Sequence, residues 1–193
     1  MSLAPWRSHL ANALDLHRSL PYARYLQLAT VRTDGRPANR TVVFRGFLEN
    51  TNQLKFITDS RSEKVEQIQH LSWGEACWYF PETREQFRIS GQLIVVGDNY
   101  SDAKLVRSRS ASWQELSDAA RLQFTWRYPG KNKPEDSQAF SPPQPDAVEP
   151  LPNFCLLLLE PIQVDHLELR GNPHNRCLYH LDSNLWSIQA VNP

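Results

Sequence analysis

The side chains best suited to chemistry in this sequence are cations, and they fall in three clusters. "NRTVVFRGF", residues 39–47, carries Arg40 and Arg45 in a stretch otherwise rich in Val and Phe. "TDSRSEK" brings Thr58, Arg61, Ser62 and Lys64 to an expected strand-to-helix junction. Two cations, two hydroxyls and a helix N-terminus together suit the oxygens of a phosphate group. "GNPHNRCLY" sets His174 and Arg176 just before a strand. Each cluster also has an ordinary reading: charges on an edge strand, a capped helix with a solvated face, a structural histidine. The sequence shows no Ser-His-Asp order, no metal-ligand spacing and no carboxylate dyad, so hydrolytic and metal chemistry find no support and no metal is expected.

Bulk properties narrow the ligand further. The chain has 193 residues, enough to bury a core without staples, and reads as one domain over residues 1–193. Its 21 basic and 21 acidic residues cancel, whereas a nucleic-acid binder carries a basic excess. Any anion site must therefore be local. Cys77, Cys155 and Cys177 are an odd number without metal-type spacing and read as reduced, packed thiols of a cytoplasmic protein. "MSLAPWRSHL" lacks the apolar run of a signal peptide, and "FCLLLL" is too short to span a bilayer.

The elements that must position these cations are mostly strands. Trp6, Leu10, Ala13, Leu14 and His17 recur at helical spacing, with Pro21 ending that helix. "RYLQLATV", the arginine stretch and "QLKFITD" read as strands joined by turns at "TDGRP" and "ENTN", an antiparallel meander. Ser62 is placed to cap a helix whose Val65, Ile68 and Leu71 face one way. "EACWYFP" and "QFRISGQLIVVG" pair across "ETRE", and helices are expected over residues 102–109 and 117–125. Seven prolines between Pro129 and Pro152 mark a long loop. "NFCLLLLEPIQVDHLEL" and a hairpin turning at "DSN" complete a mainly β chain of six to eight antiparallel strands with flanking helices. A barrel or sandwich is the expected architecture. No Gly-rich phosphate loop is present, so side chains must hold any phosphate.

Taken in order, "YLQLATVRTDGRPANRTVVFRGF", "KFITDSRSEK", "REQFRISGQL" and "HNRCLYHLDSNLWSIQAV" resemble the pyridoxamine 5′-phosphate oxidase family of FMN-binding split barrels. The similarity is nearest to its cyanobacterial and plant-type uncharacterised branch. It covers most of the chain and implies FMN as cofactor, held at the interface of a homodimer, and a small-molecule substrate. The five residue steps from Arg40 to Arg45 would span about 16 Å of extended strand, comparable to an extended FMN. Their odd separation points the two side chains to opposite faces, so the ligand would lie along the strand's edge or across a bulge.

The resemblance also implies roles. Arg40 matches an arginine that reaches the FMN phosphate, and Thr41, Val42 and Val43 match a segment lying along the flavin. Arg45 matches a lysine near the flavin that faces the substrate's phosphate. Ile57 and Thr58 match a Tyr-Thr pair at the cofactor. Ser62 and Lys64 match a phosphate-binding Ser-Arg-Lys, with Glu63 in the middle place and Arg61 as the substitute charge. Gln86 matches a glutamine bonded to the isoalloxazine, and Arg176 an arginine supplied by the partner subunit. Where active oxidases carry Arg-x-His, this chain reads Asn172-Pro173-His174; the histidine stays and the arginine is gone. A cofactor-packing tryptophan is replaced within "VDHLEL", and in "AKLVRSRSASW" Arg109 is the substrate-side candidate. The expectation is an FMN-dependent oxidoreductase using Arg45, Arg109 and His174 on the substrate side. The alternatives are a non-catalytic FMN carrier or sensor, and a split-barrel reductase acting on a flavin or haem.

Overall fold

A computed structural model describes residues 3–132 and 142–193; the middle of the proline-rich stretch lies outside them. Eight strands, all antiparallel, run β1 (Tyr25–Val31), β2 (Pro37–Val43), β3 (Leu54–Asp59), β4 (Trp73–Phe80), β5 (Glu85–Val96), β6 (Phe154–Glu168), β7 (Asn175–Asp182) and β8 (Leu185–Ala190). Their hydrogen-bonded order is β2-β1-β4-β5-β6-β7-β8, with β3 also paired to β6. The chain leaving β2 bonds back to β3 through Arg45 N–H to Lys55 O and Lys55 N–H to Gly46 O. That contact closes a ring of six strands into a barrel. The mainly β class and the flanking helices are as the sequence indicates.

The split in the barrel comes from β6. Its first half pairs with β3 (Phe56↔Leu157) and its second half with β7 (His166↔Cys177), while β5 follows it along the other edge. The change of partner falls beside a register shift at Ser90/Gly91. A Cβ on Gly91 would sit 1.9 Å from the Glu160 carbonyl oxygen, so only glycine permits this close approach. The run "FCLLLL" is continuous because both faces of that half-strand are covered. Leu157 and Leu159 enter the barrel core, while Leu156 and Leu158 pack with Val96 against Leu105 of α3 (Ala103–Gln114).

Alternation supplies the rest of the interior. Leu26 and Leu28, Trp78 and Phe80, and Phe87 and Ile89 are inward pairs on β1, β4 and β5, each fully buried. Helix α1 (Trp6–Leu16) packs Trp6, Leu10 and Ala13 into this core. His17 is structural: Nε2 accepts the Glu82 N–H, which leaves Nδ1–H to donate to Ala13 O at 2.7 Å. Trp113, Leu116 and Phe154 form a satellite core beneath α3 and α4 (Asp118–Leu122). Cys77, Cys155 and Cys177 are free thiols, and burial pushes Cys155 up to about 11.

Three expectations need correction. The arginine strand stops at Val43 instead of running through Phe47, because Gly46 at φ 96° turns the chain toward β3. The first three strands are no meander, since β3 finds its main partner in β6. Leu71 follows the end of α2 (Glu63–His70) and is exposed, leaving Val65 and Ile68 as that helix's apolar contacts. The last hairpin does turn at Ser183 and Asn184, both at positive φ as a tight two-residue turn requires. No helix among the described residues is long and apolar enough to cross a membrane.

Candidate functional site

Two cations meet where β2, β3 and α2 converge. Arg40 lies on the inward side of β2, between Ala38 and Val42. Its Nη1 donates to Thr30 Oγ1 (2.6 Å) and Leu28 O (3.1 Å), and its Nη2 to Gln67 Oε1 (2.9 Å). Thr30 and Gln67, themselves bonded at 2.6 Å, are buried polar groups that the sequence reading missed. Gln67 sits on the buried side of α2, and a polar residue on such a side is the one signal the sequence offered.

Lys64 completes the pair. Its Nζ donates to Thr58 Oγ1 and Ser62 Oγ, both at 3.1 Å. Ser62 occupies the N-cap of α2, yet its hydroxyl makes no cap bond. It donates to Asp59 O (2.8 Å) and presents its oxygen to Lys64. Burial first, then the charge of Arg40, hold the Lys64 ammonium below the ordinary lysine range, against the pull of Asp59. Burial and then Arg32 likewise lower Arg40, opposed by Glu63. Among the described residues no carboxylate hydrogen-bonds either cation; every partner is a neutral oxygen. The first turn of α2 adds its helix dipole to the same place.

β2 has a bare edge beside this cluster. Phe44 N–H points to Arg24 O on the β1 side, and Arg45 N–H points the other way to Lys55 O. By the alternation of an antiparallel strand, the N–H and C=O groups of Thr41 and Val43 face away from β1. Among the described residues no strand pairs with β2 there. Val42 turns its side chain into the core. A flat ligand with donors and acceptors along its rim can therefore bond the edge at Thr41 and Val43 while its phosphate reaches Arg40 and Lys64.

Arg45 stands apart from Arg40 once the strand has ended. It lines a cavity of about 580 Å³ with Arg18, Arg24, Leu14 and Phe44. Its Nε is buried and has no hydrogen-bond partner among the described residues. The structure does not bring Arg61 into the phosphate-suited cluster. Its guanidinium is bidentate to Asp59 (2.6 and 2.9 Å) and donates to the carbonyls of Phe124 and Trp126. Burial raises the Asp59 carboxyl, but the bonds from Arg61 and Asn153 outweigh it and hold the group below the usual range. Ile57 packs its side chain on the satellite core, the opposite side from Thr58.

Arg109, the substrate-side candidate, does not line the cavity that holds Arg45. It is 2% exposed, and it donates to Phe154 O (2.9 Å), Leu151 O (2.8 Å) and Asp98 (3.3 Å). It fastens α3 to the start of β6. His174 is exposed, in the turn before β7. Gln86 and Arg176 lie on the outer face of the sheet. Gln86 accepts a weak bond from Cys77 Sγ (3.8 Å), and Arg176 forks onto Asp165 at 2.8 and 3.0 Å, with Arg88 pairing to the same carboxylate. Burial raises Asp165, but Arg176 and then Arg88 bond it and hold it below the carboxylate range. Among the described residues no hydrogen bond or ion pair joins this outer group to Arg40 and Lys64.

Comparison with known proteins gives a consistent picture. Residues 3–97 match the family model described as pyridoxamine 5′-phosphate oxidase, FMN-binding domain. The chain is 38% identical to pyridoxine/pyridoxamine 5′-phosphate oxidase 2 of Arabidopsis thaliana, over 99% of this chain and 98% of that one. It is 64% identical to a pyridoxamine 5′-phosphate oxidase-related, FMN binding protein from Nostoc punctiforme. The two superpose over the full length of both chains with a TM-score of 0.97. PhzG of Burkholderia lata, solved with tetrahydrophenazine-1-carboxylic acid, shares the fold at TM-score 0.76 and 21% identity, over 97% of this chain and 90% of that one.

Proposed function

The chain belongs to the pyridoxamine 5′-phosphate oxidase family of FMN-binding proteins, and from that membership we propose that it is an FMN-dependent oxidoreductase acting on a small anionic molecule. FMN is its cofactor. The observation that carries the reading is the Arg40–Lys64 pair, two half-buried cations with only neutral oxygen partners. Burying such a pair without an anion is unfavourable, and a phosphate supplies the missing charge together with several acceptor oxygens. The residues therefore fit the group. Arg40, Lys64, Thr58 and Ser62 hold the phosphate, and the backbone at Thr41 and Val43 orients the ring. When bound, FMN supplies the two-electron redox chemistry.

Substrate reception falls to Arg45. A buried guanidinium Nε with no partner, in a cavity that Arg18 and Arg24 also line, suits a phosphate or carboxylate group. His174 stays on the substrate side of this reading. A cytoplasmic homodimer fits the outer sheet face, where Tyr25, Trp73 and Tyr79 are 41–49% exposed. That face also carries Gln86 and Arg176, which a second copy would bring to the flavin. A second reading, an FMN carrier or sensor, is favoured by the burial of Arg109 and by Asn172 in place of an arginine.

Oxygen consumption by the FMN-loaded protein separates the two. With pyridoxamine 5′-phosphate we expect slow turnover, raised about 10²-fold in Asn172→Arg by one restored charge-assisted contact. Rapid turnover by the unaltered protein would overturn the reading of Asn172. No turnover by either form would favour the carrier for this substrate class.

A further inference from the structure

A second cluster lies where β5 begins and β6 ends. Glu85 and Glu168 are direct cross-strand partners, a placement that costs free energy when both are charged. Neither forms an ion pair with a lysine or arginine among the described residues. Their hydrogen-bond partners are His166, whose Nε2 is 2.8 Å from Glu85 Oε2, and Asn175, whose Nδ2 donates to Glu168 Oε2 at 2.5 Å. One donor atom from each of Glu85, His166 and Glu168 lies within 4.8 Å of the others, with Glu85 and His166 buried. His9 of α1 is exposed, and its ring centre is 5.2 Å from that of His166.

We propose that Glu85, His166 and Glu168 bind a divalent transition metal, with Zn2+ the best match and His9 positioned as a fourth ligand. Two carboxylates balance the 2+ charge that their mutual repulsion invites. The imidazole selects Zn2+ over Mg2+ or Ca2+, which prefer all-oxygen shells. Ligands about 2.1 Å from a tetrahedral zinc stand about 3.4 Å apart. The Glu85–His166 pair, hydrogen-bonded at 2.8 Å, would open by about 0.6 Å and release its shared proton as the metal enters, and the half-buried Glu168 would turn toward it. The surroundings fix the ligands as metal sites require. Phe87 stacks on His166 with centroids 4.2 Å apart and planes within 8°, and Asn175 orients Glu168. With His9 engaged, the metal would fasten α1 to the barrel wall. The site is independent of the flavin cluster, and the proposal does not rest on the enzymatic reading.

The test is equilibrium dialysis of the FMN-loaded full chain against Zn2+, after chelator treatment and buffer exchange. We expect one equivalent bound per chain and a higher Tm with Zn2+. Glu168→Gln should weaken binding by at least about tenfold and abolish the rise in Tm. Retained FMN in that variant shows that it is folded. Glu85→Gln should do the same, but it disturbs the buried His166 pair, so Glu168→Gln is the deciding variant. No stoichiometric uptake, or equal uptake by the unaltered protein and Glu168→Gln, would overturn the proposal and leave the cluster a metal-free His–Glu contact.

Discussion

Strand β3 separates two regions that both collect cations, and their partners tell them apart. Thr58 faces Arg40 and Lys64; Ile57, the next residue, faces the satellite core beneath α3 and α4. On that second side Arg61, Arg109 and Arg121 are each matched by a carboxylate and by backbone carbonyls. Arg61 and Arg109 clasp helical segments to the barrel, and Arg121 ties α4 to the end of α3. Arg40 and Lys64 are as firmly held but, among the described residues, have no carboxylate as a hydrogen-bond partner. A cation with its counter-charge in the chain is finished, whereas one without it is open to a ligand.

The sharpest way to break this contrast is to remove a cation from each side. Arg109→Ala should show the largest effect on stability. It orphans the carbonyl of Phe154, at about 1–3 kcal/mol, and takes from Leu151 O one of its two donors, the other being the Phe154 N–H, and so costs about 2 kcal/mol or more. Thermal unfolding should register the loss, while the affinity of the folded protein for FMN stays as it was. If Arg109→Ala instead spared stability and lost FMN, the arginine would belong to the site after all.

Arg40→Ala should do the reverse. A charge-assisted contact is worth about 1.5–3 kcal/mol, so FMN affinity should fall about tenfold or more. Riboflavin, which lacks the phosphate, should lose little, and the preference for FMN should shrink in a fluorescence titration. Equal losses for both flavins would mean that Arg40 supports the barrel through Thr30 and Gln67 and holds no phosphate.

Much of this was legible in the residues. Period-two alternation gave the strands, and "TDSRSEK" put Ser62 and Lys64 where the cluster forms. The pairing of β3 with β6 was not legible, because Leu54–Asp59 and Phe154–Leu159 lie about a hundred residues apart and neither run of residues specifies its partner. Nor was the burial of Arg109: a guanidinium that bonds carbonyls looks, in sequence, like one that awaits a substrate. Glu85, His166 and Glu168 escaped a search for metal spacing because two strands bring them together, and local spacing records only one. Arg61 and Lys64, three residues apart, illustrate the limit. Asp59 takes up Arg61, and no pattern of residue types distinguishes the cation that is already paired.

The smallest expected effect lies in the pH dependence of Lys64. In the ligand-free chain its ammonium is held below the ordinary lysine value of 10.5, by burial and then by Arg40. Below that lowered value the charged form is buried at a cost, so the contribution of Lys64 to ligand-free stability improves as pH rises through the window toward 10.5. FMN binding has the opposite sign. The phosphate favours the charged ammonium and raises its pKa, so binding takes up a proton within that window, and FMN affinity must fall as pH rises through it. One proton limits the slope to tenfold per pH unit, and a partial shift gives less. Lys64→Met should bind FMN more weakly at neutral pH but lose the alkaline decline, and Lys64→Arg should keep affinity and lose the decline. Titrations of the three forms between neutral pH and 10.5 decide the matter: a decline of the same slope in Lys64→Met would mean that Lys64 is charged for reasons other than phosphate, and that Arg40 alone carries the site.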